Sequence, residues 1–200
     1  KLHYKSVQLK NLLILVLNRT MKTETRQQEI IRVAAKLFKE KGYSAVTMRD
    51  LAKAMGIKAA SLYNHINSKQ DILNTIIISL AEEFTEGMKQ ISTSNDTCIE
   101  KLKKIIQLHV NISSKNSYGM ASLNNDWMHL ETQRTYYKKL RSDYENDFKT
   151  ILEDAKPDVM MFSILTTLRS LYIWIPKKED LNLEELTNTL SQILIKGINK

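Results

Sequence analysis

The chain has 200 residues, 42% of them hydrophobic, with 2 prolines and 5 glycines, enough for one large or two small domains and a composition that favours helices. The single cysteine, Cys98, excludes an internal disulfide and fits a reducing, cytoplasmic setting. No unbroken apolar run approaches the roughly 18 residues of a membrane span, so a membrane is not expected among the partners.

The net charge of +8 is unevenly placed. Residues 1–20 hold four basic and no acidic residues, residues 21–70 hold ten and four, and residues 71–200 hold sixteen and eighteen. The excess lies wholly before residue 70, which points to an anionic partner such as nucleic acid. The first twenty residues fit the rest poorly, and Met21 reads as a natural start. The apolar run Leu12–Leu17 is shorter than a signal-peptide core of roughly 7–15 residues, and no small-x-small cleavage site follows it. Residues 1–20 are therefore read as an added upstream extension and set aside.

From Thr25 to Lys41 apolar residues (Ile30, Val33, Ala34, Leu37, Phe38) recur at helical spacing, and Gly42 supplies a stop. Thr47 with Asp50 three residues on forms an imperfect capping box, opening a helix at Met48 that carries Leu51, Ala52 and Met55. Gly56 turns the chain, and a second short helix begins near Lys58. Two short helices joined by a Gly-containing turn, behind a longer supporting helix, read as a helix-turn-helix. Gln70 to about Ile91 is a long helix, and Ile99–Ile112 another. Residues 113–119 read as a loop, followed by a short helix near Ala121–Leu130. Further helices are expected at Glu131–Asp154, at Pro157–Pro176 and at about Leu183–Ile198. No strand alternation or repeat is evident, so the fold class is all-α.

The segment Gly56–Lys69, G-I-K-A-A-S-L-Y-N-H-I-N-S-K, opens its helix with small residues and follows them with donors. In a helix-turn-helix the second helix enters the major groove with its N-terminal residues near base edges. Lys58, Ala59, Ala60 and Ser61 occupy that end, where small side chains admit the backbone and an alanine methyl can meet a thymine methyl. Ser61, Tyr63, His65 and Lys69 supply donors for phosphate oxygens, and Thr47 sits at a helix N-terminus that favours phosphate.

Residues 26–74 carry A-x-x-L-F-x-E-x-G-Y, T-x-R-D-L-A-x-x-x-G-I and S-L-Y-x-H-x-x-S-K-x-x-I-L in succession. This stretch strongly resembles the DNA-binding domain of tetracycline-repressor-type (TetR family) regulators. The resemblance implies a dimeric repressor with a three-helix reading head at residues 21–69 and a helical effector-binding and dimerisation domain at 70–200. By matching position it makes Thr47, Ser61, Tyr63, His65 and Lys69 phosphate contacts and places Lys58, Ala59 and Ala60 where bases are read. The chain departs from the family at Asn64, often aromatic or histidine there, and at Ile66, often phenylalanine; Asn64 stays among the candidate DNA contacts.

In the second half, the stretch Asp158–Ile175 is apolar nearly all round and must be covered on several sides. The resemblance implies that it and the last helix pair with their copies in a four-helix homodimer interface, so a charge at Leu168 or Leu190 is expected to dissociate the dimer. A pocket for a small apolar effector is expected among the middle helices, lined by His109, Ile112, Met120, Trp127, Met128, Tyr137, Leu140, Tyr144, Leu165 and Arg169. Residues 125–195, with D-W-M-H-L and L-R-S-L-Y-I-W-I-P, resemble the family's fatty-acid- or acyl-CoA-responsive regulators, which implies an acyl effector. Asp126 and His129 stand three apart with His109 distant, so a metal site is not expected. No HExxH, Gly-rich phosphate loop or nucleophile elbow occurs, so neither enzyme nor cofactor is expected. The leading expectation is a ligand-responsive repressor on an inverted-repeat duplex operator. The alternative is a dimeric helical interaction module that presents its basic head to a partner protein or anionic surface.

Overall fold

The computed structural model describes residues 24–152 and 157–196; the segment 1–20 lies outside them. Among the described residues every regular element is helical. Helix α1 (Arg26–Lys41) starts at a reciprocal capping box, in which Gln28 N–H donates to Thr25 Oγ1 and Thr25 N–H donates to Gln28 Oε1. It ends where Gly42 takes φ +82° and donates to Phe38 O at 2.8 Å. Helix α2 (Met48–Ala54) has the expected Thr47–Asp50 box. Gly56, at φ +65°, then turns the chain while Ile57 N–H returns to Ala52 O at 3.0 Å, a closure that only a left-handed residue allows without strain. Helix α3 (Ala59–Tyr63) is one turn and a half, anchored by fully buried Leu62. Ile66, 4% exposed, keeps its core role just beyond it.

Helix α4 (Lys69–Ser92) is the axis of the molecule: Ile72, Leu73, Ile76, Ile77, Leu80, Phe84 and Met88 are all buried along it. Helices α5 (Cys98–Lys115), α6 (Ser117–Asn125) and α7 (Arg134–Leu152) pack on it. Helix α8 (Pro157–Arg169) lies on α7, short α9 (Leu171–Trp174) follows, and α10 (Leu183–Lys196) lies along α5. The head is docked on the body, because α1 packs on α6.

Three boundaries differ from expectation. The loop expected at residues 113–119 shrinks to Asn116, which closes α5 and caps α6 by accepting from Gly119 N–H at 2.9 Å. Polar composition suggested a loop, but one Asn can serve as both caps when its side chain replaces the backbone partner. A Cβ at Gly119 would lie 2.6 Å from Asn116 Oδ1, so that cap requires glycine. Helix α7 starts three residues later than expected, and the long helix expected to reach Pro176 breaks at Ser170, whose hydroxyl and N–H both turn back to Thr167 O.

Pro157–Lys177, 21 residues containing an 18-residue window of mean hydropathy 1.4, is long and apolar enough to cross a membrane by length and composition. It holds no long unbroken apolar run, because Ser163, Thr166, Thr167, Arg169 and Ser170 interrupt its apolar residues. The segment is bent at Ser170 and packs on α5, α6 and α7. Its Leu168 is fully buried within the single chain, which corrects the expectation that Leu168 lies on a face between copies. The outward apolar residues are Val159, Phe162, Ile173 and Trp174, joined by Ile193 of α10.

Candidate nucleic-acid interface and pocket

The head presents a continuous exposed strip. Lys58, Ala60, Ser61, Tyr63, Asn64 and His65 all face solvent, and Thr47 stands at the start of α2. Lys58, as N-cap of α3, makes no side-chain capping hydrogen bond, and Ser61 N–H returns to its carbonyl at 3.0 Å. Behind the strip, Leu51, Ala52, Leu62 and Ile66 belong to the same buried core as α1, which holds the short helix rigid despite its length.

Three candidates differ from the sequence expectation. Ala59 is half-buried against the core, so its methyl is packing and Ala60 is the small residue left at the surface. Thr47 Oγ1 already donates to Asp50 Oδ2 at 2.6 Å while accepting from Asp50 N–H at 3.1 Å. The hydroxyl bond, and then Thr47 N–H donating to the same Oδ2 at 2.9 Å, hold the Asp50 carboxyl below its usual range. Lys69 is not a free surface cation. Its ammonium donates to Tyr43 O and Val46 O, both at 2.9 Å, and lies 4.2 Å from the Tyr43 ring centroid. Sequence spacing cannot show this, because the acceptors lie 26 and 23 residues earlier.

The joint between head and body is polar and aromatic. Tyr43 stacks on His129 with centroids 5.3 Å apart, and Gln70 Nε2 donates to His129 O at 2.6 Å. Asp126 is buried here, and burial raises its carboxyl above the usual range. Among the described residues no group of His, Cys, Asp or Glu can hold a metal: His129 is at this joint, whereas His109 lies in the body's interior.

That interior holds a cavity of about 120 Å³ between α4, α5, α6, α7 and α8. His109, Met120, Trp127, Tyr137, Tyr144, Leu165 and Arg169 line it as expected. Ile112, Met128 and Leu140 do not: Ile112 and Leu140 are buried elsewhere in the core, and Met128 is 51% exposed. Met128 lies in a one-turn 3-10 helix (Trp127–His129) that directs Trp127 inward and its neighbour outward. Sequence reasoning missed Ala81, Phe84 and Thr85, which α4 contributes, together with Leu123, Asn124, Arg141 and Glu145. The apolar stripe of α4 marks burial in the sequence without showing which of its turns borders a cavity. A larger cleft of about 580 Å³ lies between α1, α4 and the α5–α6 junction, lined mainly by polar residues including Gln28, Arg32, Thr75, Ser79 and Lys115. Arg32 there is engaged by Glu24 at 2.9 Å.

In the smaller cavity His109 Nε2 and the Tyr144 hydroxyl are 2.8 Å apart. Burial, and then the positive Arg169, push the His109 imidazole down to about 3; burial raises the Tyr144 phenol. Both groups are therefore neutral near pH 7. His109 Nδ1 is buried with no partner among the described residues. Arg141 is paired with Glu145 at 2.9 Å, whereas Arg169 has no carboxylate partner among the described residues.

Residues 30–76 match the family described as bacterial regulatory proteins, tetR family, and residues 95–198 match the tetracyclin repressor-like C-terminal domain. The chain belongs to the TetR family. Its second match alone covers more than half of the 200 residues. Among curated relatives, the transcriptional repressor KstR2 of Rhodococcus jostii is 26% identical over 135 residues, 66% of either protein. Among solved structures, KstR2 of Mycobacterium tuberculosis superposes with a TM-score of 0.80 at 19% identity, covering 88% of this chain and 96% of that one. AibR, solved in complex with isovaleryl coenzyme A and operator DNA, superposes at 0.70 and 19% identity, covering 84% and 97%. These two likenesses establish the all-α TetR fold with its N-terminal helix-turn-helix.

Proposed function

We propose that this TetR-family chain is a ligand-responsive transcriptional repressor that grips an inverted-repeat operator as a homodimer and releases it when a small apolar, acyl-type effector fills the interior cavity. The observation that carries the reading is the exposed strip Lys58–His65, set on a rigid three-helix head and joined through α4 to a cavity that α4 itself lines. Donors at Ser61, Tyr63 and His65 suit phosphate oxygens, and Lys58 and Ala60 lie at the end of α3 that meets base edges.

The homodimer is supported by Phe162 and Ile193, which are 69% and 66% exposed. Val159, Ile173 and Trp174 of α8 and α9 are exposed as well. Large apolar side chains left exposed on these helices suit an interface, and a two-fold axis there presents two heads to two half-sites. An acyl effector is supported by the cavity's apolar and aromatic lining and by the isovaleryl group bound to AibR. The setting is cytoplasmic, where the DNA is.

Fluorescence anisotropy with a palindromic duplex and its scrambled counterpart, over a salt series, tests the reading. Selective binding that weakens steeply with salt is the expected result. Equal binding to both duplexes, or none to either, overturns it in favour of an interaction module.

A further inference from the structure

We infer that the effector is a small free carboxylic acid, its carboxylate seated between Arg169 and His109 and its body of about four to six carbons buried against Phe84, Met120 and Leu165. This rests on the effector-pocket reading above and narrows it. Three observations converge.

The first is charge. Of the ionisable residues lining the cavity, Arg141 and Glu145 cancel each other across 2.9 Å, and Arg169 has no carboxylate partner among the described residues. His109 and Tyr144 are neutral, so the lining carries one uncompensated positive charge. Its complement is a monoanion. Arg169 is solvent-exposed and so sets this charge at the rim of the cavity, where a thioester's neutral carbonyl makes no ion pair with it.

The second is hydrogen bonding. Burial keeps the proton on the Tyr144 phenol, so its O–H can donate to His109 Nε2, across 2.8 Å. In that tautomer Nδ1 carries the other proton. It is buried with no hydrogen-bond partner, on a side chain that lines the cavity. A buried donor left without a partner is destabilising, and a carboxylate oxygen is a strong acceptor for it. Arg169 takes the second oxygen.

The third is size. A cavity of about 150 Å³ lined by apolar side chains accommodates benzene; this one is about 120 Å³. The cavity is open on the side of Arg141 and Arg169, both exposed, so a branched five-carbon acid or benzoic acid can fill it with the carboxylate at that side.

The test is direct binding, independent of DNA, by calorimetry and thermal shift on the full chain at pH 7.5. Isovalerate and benzoate are compared with isovaleramide and benzamide, with dodecanoate, and with isovaleryl coenzyme A. The short acids are expected to bind and to raise Tm, the amides to bind about 10- to 100-fold more weakly, and Arg169→Gln to abolish that preference. His109→Asn, which keeps a polar group, is expected to weaken the acids several-fold and leave the amides unchanged. Amides equal to acids, an Arg169→Gln variant that still prefers acids, or coenzyme A ester or dodecanoate binding in place of the short acids each overturns the inference. Operator release is measured alongside. Acids that bind without releasing DNA sustain this ligand assignment and refute the switching role.

Discussion

Two of the three N–H bonds of the Lys69 ammonium end on the carbonyl oxygens of Tyr43 and Val46, with the Tyr43 ring beside them. The residue thus ties the loop after α1 to the first turn of α4. Lys69→Met leaves both part-buried carbonyls without that donor, at a cost of about 1–3 kcal/mol. Thermal unfolding of the variant is expected to fall by several degrees, since each kcal/mol moves Tm by roughly 2–4 °C in a chain of this size. The salt slope of DNA binding should change by less than the one unit that loss of a direct phosphate contact removes. An unchanged Tm with a full unit lost from the slope would return Lys69 to the surface role. His109 carries a second expectation at this scale. Its pKa drops from about 6.5 in the unfolded chain to about 3 in the fold. Below the unfolded value the unfolded state holds a proton that the folded state refuses. Its contribution to stability is therefore intact above about pH 6.5 and is lost as pH falls toward 3, at about 1.4 kcal/mol per pH unit. Between pH 7.5 and 4.5 the denaturation midpoint of wild type should fall relative to that of His109→Leu, because only the wild type's unfolded state has this proton to take up. Parallel curves would show that the imidazole titrates normally.

At the scale of elements, α8 and α10 have two faces with different fates. Leu168 is fully buried in the chain's own core, whereas Phe162 and Ile193 stand outside it. Phe162→Asp and Ile193→Asp should leave the monomer folded, since exposed substitutions usually change stability by within about 0.5 kcal/mol. In a dimer the same charge is buried unpaired, at about 3–5 kcal/mol. Sedimentation should then show folded monomers with weakened operator binding. Leu168→Asp should instead yield an unfolded chain. Dimers that persist in both outward variants would relocate the interface. The periodicity of these helices was legible in sequence; which stripe faces inward was not, because Asp158–Ile175 is apolar nearly all round and has no polar side to orient it.

For the whole molecule, the question is how a filled cavity reaches the head. The head is fastened to the body by the Gln70 Nε2 bond to His129 O, by the Tyr43–His129 stack and by Lys39 over the Tyr118 ring. The same turns of α4 hold Gln70 Oε1 and Asn74 Oδ1 buried without partners. A docking that leaves polar groups unmatched is one to which a second docking can lie close in free energy. An effector shifts that balance only by preferring one state. Gln70→Ala does not touch the cavity lining, so effector affinity for the DNA-free protein should hold within about twofold. The ratio of operator affinities without and with effector should move toward one, because the joint that transmits the tilt of α4 has been loosened. An unchanged ratio would place the coupling elsewhere.

Local chemistry was enough to read the all-α class, the Thr47–Asp50 cap, the Gly56 turn and the outward character of Ser61, Tyr63 and His65. Each depends on residues within a few positions of one another, where capping, helical periodicity and turn geometry leave their mark in order along the chain. The tertiary structure alone decided that Lys69 is spent on Tyr43 and Val46, that Met128 faces solvent beside an inward Trp127, and that α4 supplies Phe84 to the cavity. It also decided that Arg169 keeps its charge while Arg141 gives its own to Glu145. A hydrogen bond across 26 residues, or an arginine's choice of carboxylate, depends on how helices pack in space, and helical periodicity carries no information about distance between helices.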